Sequence, residues 1–141
     1  MSAVVVDASV VVKWYVPEIH SDAAHWLLQR NHQFLAPDLL FAEIGNVVWK
    51  KVRRGELSQK DGRELVRDVA KTSIESVSSQ ALINDAYPLA VATERTVYEA
   101  LYLALALRLD TVFITADERL WNSIAKNPSL KGAVQLLQKM I

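Results

Sequence analysis

Val4-Val5-Val6-Asp7-Ala8-Ser9 is the stretch of sequence that decides the fold. Three β-branched residues in a row favour a short strand that is buried on both faces. Asp7 then falls where this strand ends. A carboxylate buried there is costly unless a cation or hydrogen-bond donors meet it. Because ligands of open α/β sheets bind at the carboxyl ends of the strands, Asp7 is the first candidate functional residue.

The rest of the chain alternates between strand-like and helix-like segments. Further strands are predicted at 33–36, 74–77, 111–115 and 134–137. Helices are predicted between them at 21–30, 38–54, 58–71, 79–92, 96–109 and 116–125. Residues 10–15 are expected to form only a helical turn, and Pro88 to bend or interrupt its helix. The alternation predicts one α/β domain over residues 1–141, with a parallel sheet covered by helices on both faces.

The bulk composition is that of an ordinary globular protein. The chain has 16 basic and 16 acidic side chains, a balance that argues against a protein coating nucleic acid or anionic membranes by charge alone. It has no cysteine, so disulfides and thiolate metal sites are excluded. Neither a signal peptide nor an apolar run of about 18 residues is present, so we expect a cytoplasmic protein without a membrane span.

Four acids differ from the solvated charges because they lie at predicted strand ends or near helix starts: Asp7, Glu43, Glu99 and Asp117. In a parallel sheet these places share one edge, so the four carboxylates can converge. Converging carboxylates repel one another unless cations lie between them. Oxygen ligands suit Mg²⁺ or Mn²⁺, which lower the pKa of a bound water and brace a phosphodiester. Ser9 and Thr115, each two residues from an acid, are candidates for orienting a ligand.

Two of the acids also have interpretations that need no metal. Asp7 can be a turn residue or a cap for the next helix. Glu43 can form an ion pair with Lys50 or Arg54 on a solvated helix face. These two residues belong to the basic run that ends the helix, which comprises Lys50, Lys51, Arg53 and Arg54. That run itself is either ordinary favourable charge at a helix C-terminus or an edge that contacts RNA phosphates.

The other two acids lie at helix starts, where capping explains them. Thr96 and Glu99 form a capping box, in which Glu99 reaches back to the Thr96 amide. Thr115 and Glu118 form a second box, which would leave Asp117 free for another role. The helix macrodipole favours acids at both places without any metal.

The order and spacing of four motifs distinguish between these interpretations. The motifs are Asp7-Ala8-Ser9 with the following residues 12–18, Glu43-Ile44-Gly45-Asn46, residues 98–106 around Glu99, and Thr115-Ala116-Asp117. Over essentially the whole chain they resemble the PIN-domain proteins of the VapC toxin type. One departure is Glu99, where that family usually carries Asp.

This resemblance implies a PIN-like three-layer α/β/α fold with a central parallel sheet of about five strands. It further implies a metal-dependent ribonuclease that hydrolyses RNA phosphodiester bonds with Mg²⁺ or Mn²⁺. The implied metal ligands and catalytic residues are Asp7, Glu43, Glu99 and Asp117, supported by Ser9, Asn46 and Thr115. A homodimer and a VapB-type antitoxin partner are implied as well. The alternative is a non-catalytic PIN-like module that binds RNA or protein through a degenerate acidic site.

Overall fold

The computed structural model of the chain describes residues 2–141. Its strands are β1 (Ser2–Val6), β2 (His32–Pro37), β3 (Ile74–Val77), β4 (Phe113–Thr115) and β5 (Val134–Leu136). They form one sheet in the order β3-β2-β1-β4-β5, and every neighbouring pair is parallel. The predicted α/β class, with a central parallel sheet of five strands, is therefore confirmed.

Within residues 2–141, seven α-helices connect and cover the strands. They are α1 (Ala8–Tyr15), α2 (Ser21–Leu28), α3 (Leu39–Arg53), α4 (Gln59–Ala70), α5 (Ser79–Thr93), α6 (Val97–Arg108) and α7 (Glu118–Ala125). Two short 3₁₀ helices flank β5, at Lys131–Ala133 and Leu137–Lys139. No helix within residues 2–141 has the length and apolar character needed to cross a bilayer.

Two helices differ from the sequence-based expectation. α1 starts directly after Asp7 and is a full helix rather than a single turn. Its valines at positions 10, 11 and 12 are almost completely buried, and this burial outweighs their modest helix propensity. α5 continues through Pro88 without interruption. Pro88 and the residue one turn before it, Asn84, lie on the exposed face, where water can replace the missing backbone donor.

The core is centred on β1 and α6. Val5 and Val6 are fully buried, and α6 is buried over Ala100 to Ala106 where it packs against β1, β2 and β4. The register of the sheet pairs Val6 with Ile114. Asp7, which directly follows β1, and Thr115, the last residue of β4, are therefore side by side at the carboxyl edge.

Helices α3 and α4 approach each other closely at Gly62. A Cβ atom at this position would lie 2.7 Å from Cγ2 of Val52 and 3.3 Å from Cγ1 of Val48. Valine side chains are stiff about χ1, so they cannot easily move aside. Gly45, which also lies within a helix, has no atom within 4 Å of its ideal Cβ position.

We therefore expect Gly62→Ala and Gly45→Ala to change stability in opposite directions. Gly62→Ala should lower the free energy of unfolding by about 1–2 kcal/mol, because overpacking exceeds the gain in helix propensity. Gly45→Ala should raise it by about 0.5–1 kcal/mol, since only the propensity changes. Urea denaturation of both variants measures the difference. Equal stabilisation by the two substitutions would show that the α3–α4 contact is not tight.

Candidate active site

Asp7 joins the ends of β1 and β4 through its side chain. Its Oδ1 accepts a hydrogen bond from Ser9 Oγ at 2.5 Å, and its Oδ2 accepts one from Thr115 Oγ1 at 2.6 Å. The two hydroxyl oxygens in turn accept the backbone N–H groups of Ala116 at 2.9 Å and Asp117 at 3.1 Å. Asp7 stands at the N-cap position of α1, but its carboxylate makes no capping bond. The side chain is therefore held jointly by Ser9, in the first turn of α1, and by Thr115, at the end of β4.

Glu43 is held by a residue from a different helix. It lies in α3, partly buried, and its Oε1 accepts a hydrogen bond from the hydroxyl of Tyr102 in α6. Tyr102 is almost completely buried, and its ring stacks on Phe113 of β4 with centroids 5.4 Å apart. Among the described residues no ion pair joins Glu43 to the basic run of α3. This carboxylate therefore points towards the sheet edge.

Glu99 occupies the capping box that the sequence predicts. Its backbone N–H donates to Thr96 Oγ1 at 3.2 Å, and its Oε1 lies 3.4 Å from the Thr96 amide and 3.1 Å from the Thr96 hydroxyl. Its other oxygen, Oε2, accepts a hydrogen bond from Nη2 of Arg95 at 2.7 Å. Both oxygens of Glu99 are thus already bonded within the protein.

Asp117 is itself the N-cap of α7, so the prediction that it stays free of capping was wrong. Its Oδ1 accepts the backbone N–H groups of Arg119 at 3.0 Å and Leu120 at 3.1 Å. Thr115 does not cap the helix, since its hydroxyl donates to Asp7 and accepts the backbone N–H of Asp117. The helix consequently begins at Glu118, two residues later than predicted.

Electrostatic interactions connect the four acids. Burial raises the pKa of Asp7 to about 6, and the negative charge of Glu43 adds to the effect. Burial also raises the pKa of Glu43, with a further contribution from the charge of Glu99. Arg95 links the remaining pair, because its pKa is raised by the hydrogen bond to Glu99 and by the charge of Asp117. The four carboxylates therefore belong to one electrostatic cluster.

The donor set of this cluster fits a hard divalent cation. All four groups offer carboxylate oxygens. The raised pKa values of Asp7 and Glu43 show that the protein stabilises the negative charge of these two carboxylates poorly. Within residues 2–141, however, no three acidic or histidine side chains are close enough to hold an ion as they stand. Binding an ion would need some of these carboxylates to come closer together.

A cavity of about 440 Å³ adjoins the cluster between α3 and the start of α6. Glu43 and Glu99 line it together with Asn46 and the exposed Tyr98. Pockets of a few hundred Å³ with a few polar groups are typical of ligand sites. A larger cavity of about 710 Å³ lies between α3 and α4, but none of the four acids lines it.

Tyr102 and Arg95 are the two residues of this site that sequence reasoning missed. Tyr102 lies one turn after Glu99 and is the single hydroxyl-bearing residue in the buried run 100–106. A buried tyrosine hydroxyl needs a partner, and that requirement was the available signal. Arg95 precedes Glu99 by four residues, a spacing typical of ion pairs on helices.

Comparison with known proteins gives the following relatives. A model of the PIN domain matches residues 4–127. Ribonuclease VapC3 of Pyrobaculum aerophilum is 31% identical over 118 residues, which are 82% of this chain and 90% of the relative.

Two crystal structures share the fold. PAE2754 from Pyrobaculum aerophilum has a TM-score of 0.67 and 24% identity, covering 94% of this chain and 83% of its own. VapC20 of Mycobacterium tuberculosis, described as a toxin that cleaves the sarcin–ricin loop, has a TM-score of 0.65 and 13% identity. That match covers 85% of this chain and 94% of VapC20.

The burial of Asp7 predicts that Asp7→Asn stabilises the metal-free protein. At pH 7.5 the carboxylate is charged in both states, and its folded pKa of about 6, against 3.8, corresponds to a cost of about 2–3 kcal/mol. Asn removes this cost, so the variant should unfold at higher urea concentration in EDTA. As the pH falls through 6, wild-type Asp7 takes up a proton in the folded state, and the difference should shrink until it vanishes below about pH 4.

Asp110→Asn is the matched control, because Asp110 is exposed and its positive φ of 52° suits asparagine. Its stability should equal that of the wild type at pH 7.5. A destabilised Asp7→Asn at pH 7.5 would contradict the prediction. It would mean that the hydrogen bonds from Ser9 and Thr115 outweigh the burial of the charge.

Proposed function

The chain belongs to the PIN domain family and to its VapC ribonuclease group, and on that premise we propose that it is a metal-dependent ribonuclease. Its substrate is RNA, its reaction is hydrolysis of a phosphodiester bond, and its cofactor is Mg²⁺ or Mn²⁺. The observation that carries the proposal is the cluster of Asp7, Glu43, Glu99 and Asp117 at the carboxyl edge of the sheet. Two of its members, Asp7 and Glu43, have pKa values that are raised by burial and by the charge of a neighbouring acid, which is Glu43 for Asp7 and Glu99 for Glu43.

Each residue of the site has a role that follows from its position. Asp7, Glu43 and Asp117 hold the ion or ions, and Glu99 assists them. Ser9 and Thr115 keep the Asp7 carboxylate in one orientation, and Tyr102 does the same for Glu43. A divalent ion bound here lowers the pKa of a water molecule and neutralises charge on the phosphodiester. Asn46 lies beside Glu43 in the adjoining cavity, where its amide can contact RNA.

The partners are also part of the proposal. The relatives' VapC character supports a toxin that acts in the cytoplasm and is held inactive by a VapB-type antitoxin. Exposed apolar side chains support a homodimer, since Ile83, Tyr87 and Val91 recur every four residues along α5 and are 41%, 63% and 63% exposed. An apolar stripe on one helix can pair with its own copy across a two-fold axis.

The ribonuclease activity is tested with a mixed pool of transfer and ribosomal RNA in Mn²⁺, Mg²⁺ or EDTA. We expect the wild type to cut RNA only with a divalent ion, and Asp7→Asn to lose activity by at least about 100-fold, since even changes behind the ligands cost 10–100-fold. Mn²⁺ should raise the melting temperature of the wild type and not of Asp7→Asn.

Asp110→Asn serves again as the control and should cut RNA at the wild-type rate. Because Asp7→Asn is expected to fold at least as well as the wild type, its inactivity cannot be attributed to unfolding. Wild-type protein that neither cuts RNA nor is stabilised by Mn²⁺ would overturn the proposal. That result would favour a non-catalytic module that binds RNA or protein.

The dimer is tested by Tyr87→Glu, which places a charge in the middle of the α5 stripe. We expect the wild type to have twice the mass of the chain in light scattering at micromolar concentration, and Tyr87→Glu to have the mass of one chain. Tyr98→Glu, at an equally exposed tyrosine outside the stripe, should keep the wild-type mass. If Tyr87→Glu remains a dimer, this face of α5 is not the interface.

A further inference from the structure

Arg95 lies at a sharp change of chain direction beside the acids. α5 ends at Thr93, and Glu94 then adopts a left-handed conformation with φ 56°. The guanidinium of Arg95 is thereby turned towards the start of α6, where it bonds Glu99. The negative charge of Asp117, at the start of α7, also raises the pKa of Arg95. The backbone thus places a basic group next to Glu99 and within the electrostatic influence of Asp117.

The guanidinium of Arg95 has unused hydrogen-bonding capacity. It carries five N–H donors, and within the described part of the chain one of them, on Nη2, donates a hydrogen bond to Glu99. Its Nε is buried and donates no hydrogen bond to any of residues 2–141. A buried donor without an acceptor is costly and calls for an explanation. The Arg95 side chain as a whole is 25% exposed, so an anionic oxygen can reach the guanidinium through its other donors.

The charge of the site points to the same kind of ligand. RNA brings negative phosphates to a cluster of four carboxylates, and that approach is repulsive without positive charge. Among the described residues, Arg95 is the one basic side chain that forms an ion pair with a member of the cluster. Arginine is also the residue best suited to phosphate, because its planar fork matches the geometry of phosphate oxygens.

We propose that Arg95 binds a phosphate group of single-stranded RNA next to the scissile bond, and that Glu99 is the positioning residue that aims it. This inference rests on the proposed ribonuclease function. It also explains the unusual acid at position 99. Glutamate is long enough to close the capping box with Thr96 and to hold Arg95 with its other oxygen.

Binding is measured by fluorescence anisotropy with a labelled single-stranded RNA of ten nucleotides, in Ca²⁺ and across a series of salt concentrations. Gel electrophoresis after each titration checks that the RNA is intact. Arg95→Gln should weaken binding about tenfold or more, and one lost phosphate contact should reduce the salt slope by about 0.7. Arg95→Lys keeps the charge but not the fork, so it should retain the slope and recover only part of the affinity.

Three further measurements separate a phosphate contact from a structural ion pair. Arg108→Gln removes an arginine that also pairs with a carboxylate, Asp85 at 2.8 Å, at the far end of α6, and should leave RNA affinity unchanged. Glu99→Gln should weaken RNA binding severalfold, with no added effect in combination with Arg95→Gln. Mn²⁺ alone should raise the melting temperature of Arg95→Gln as much as that of the wild type, because the Arg95 guanidinium is not a metal ligand.

The inference is overturned if Arg95→Gln binds RNA with wild-type affinity and salt slope while the wild type cuts RNA. Arg95 would then only balance the charge of the acids, and the ribonuclease proposal would stand. Wild-type protein that neither binds nor cuts RNA overturns the ribonuclease proposal and this inference together. The two failures are therefore distinguishable in one set of experiments.

Discussion

The negative charge of a carboxylate buried at the end of a strand must be stabilised by hydrogen-bond donors or by a cation. The centre of this fold is arranged to meet that requirement. Asp7 follows the central strand, where burial raises its pKa to about 6. The register of β1 and β4 brings Thr115 beside it, and the first turn of α1 brings Ser9. The hydroxyls of these two residues receive backbone N–H groups from the chain after β4. One acid thus fixes how two strands and the connection to α7 meet.

The other three acids are restrained in the same manner, each by a different kind of donor. Glu43 accepts a hydrogen bond from a tyrosine hydroxyl, Glu99 from a guanidinium and from the hydroxyl of the capping threonine, and Asp117 from two backbone N–H groups. The four acids still repel one another, since the charge of a neighbouring acid raises the pKa of Asp7 and that of Glu43. The fold thereby tolerates the cluster without neutralising it, and a cation can still gain from binding there.

The sequence was sufficient to predict the parts of this structure that depend on local patterns. The valines before Asp7 predicted the central strand, and Thr96 with Glu99 predicted a capping box that the structure contains. The cap of α7 was mispredicted because Thr115 and Asp117 are equally good caps by sequence. Only the register of β4 against β1 shows that the threonine is engaged by Asp7. Local propensity cannot decide whether Thr115 or Asp117 caps α7, because tertiary contacts determine the outcome.

Sequence reasoning missed two contacts for two different reasons. One joins residues that are far apart along the chain, and the other depends on a turn of the backbone. Tyr102 meets Glu43 across 59 positions, so no window of sequence reveals the pair. Arg95 and Glu99 are close in sequence, but the left-handed Glu94 is what turns the arginine towards the acids. An aspartate at position 99 would be shorter by about 1.5 Å and would have less reach for holding both Thr96 and Arg95. Glu99 and Arg95 are therefore best understood as one unit, whose chemistry neither residue reveals alone.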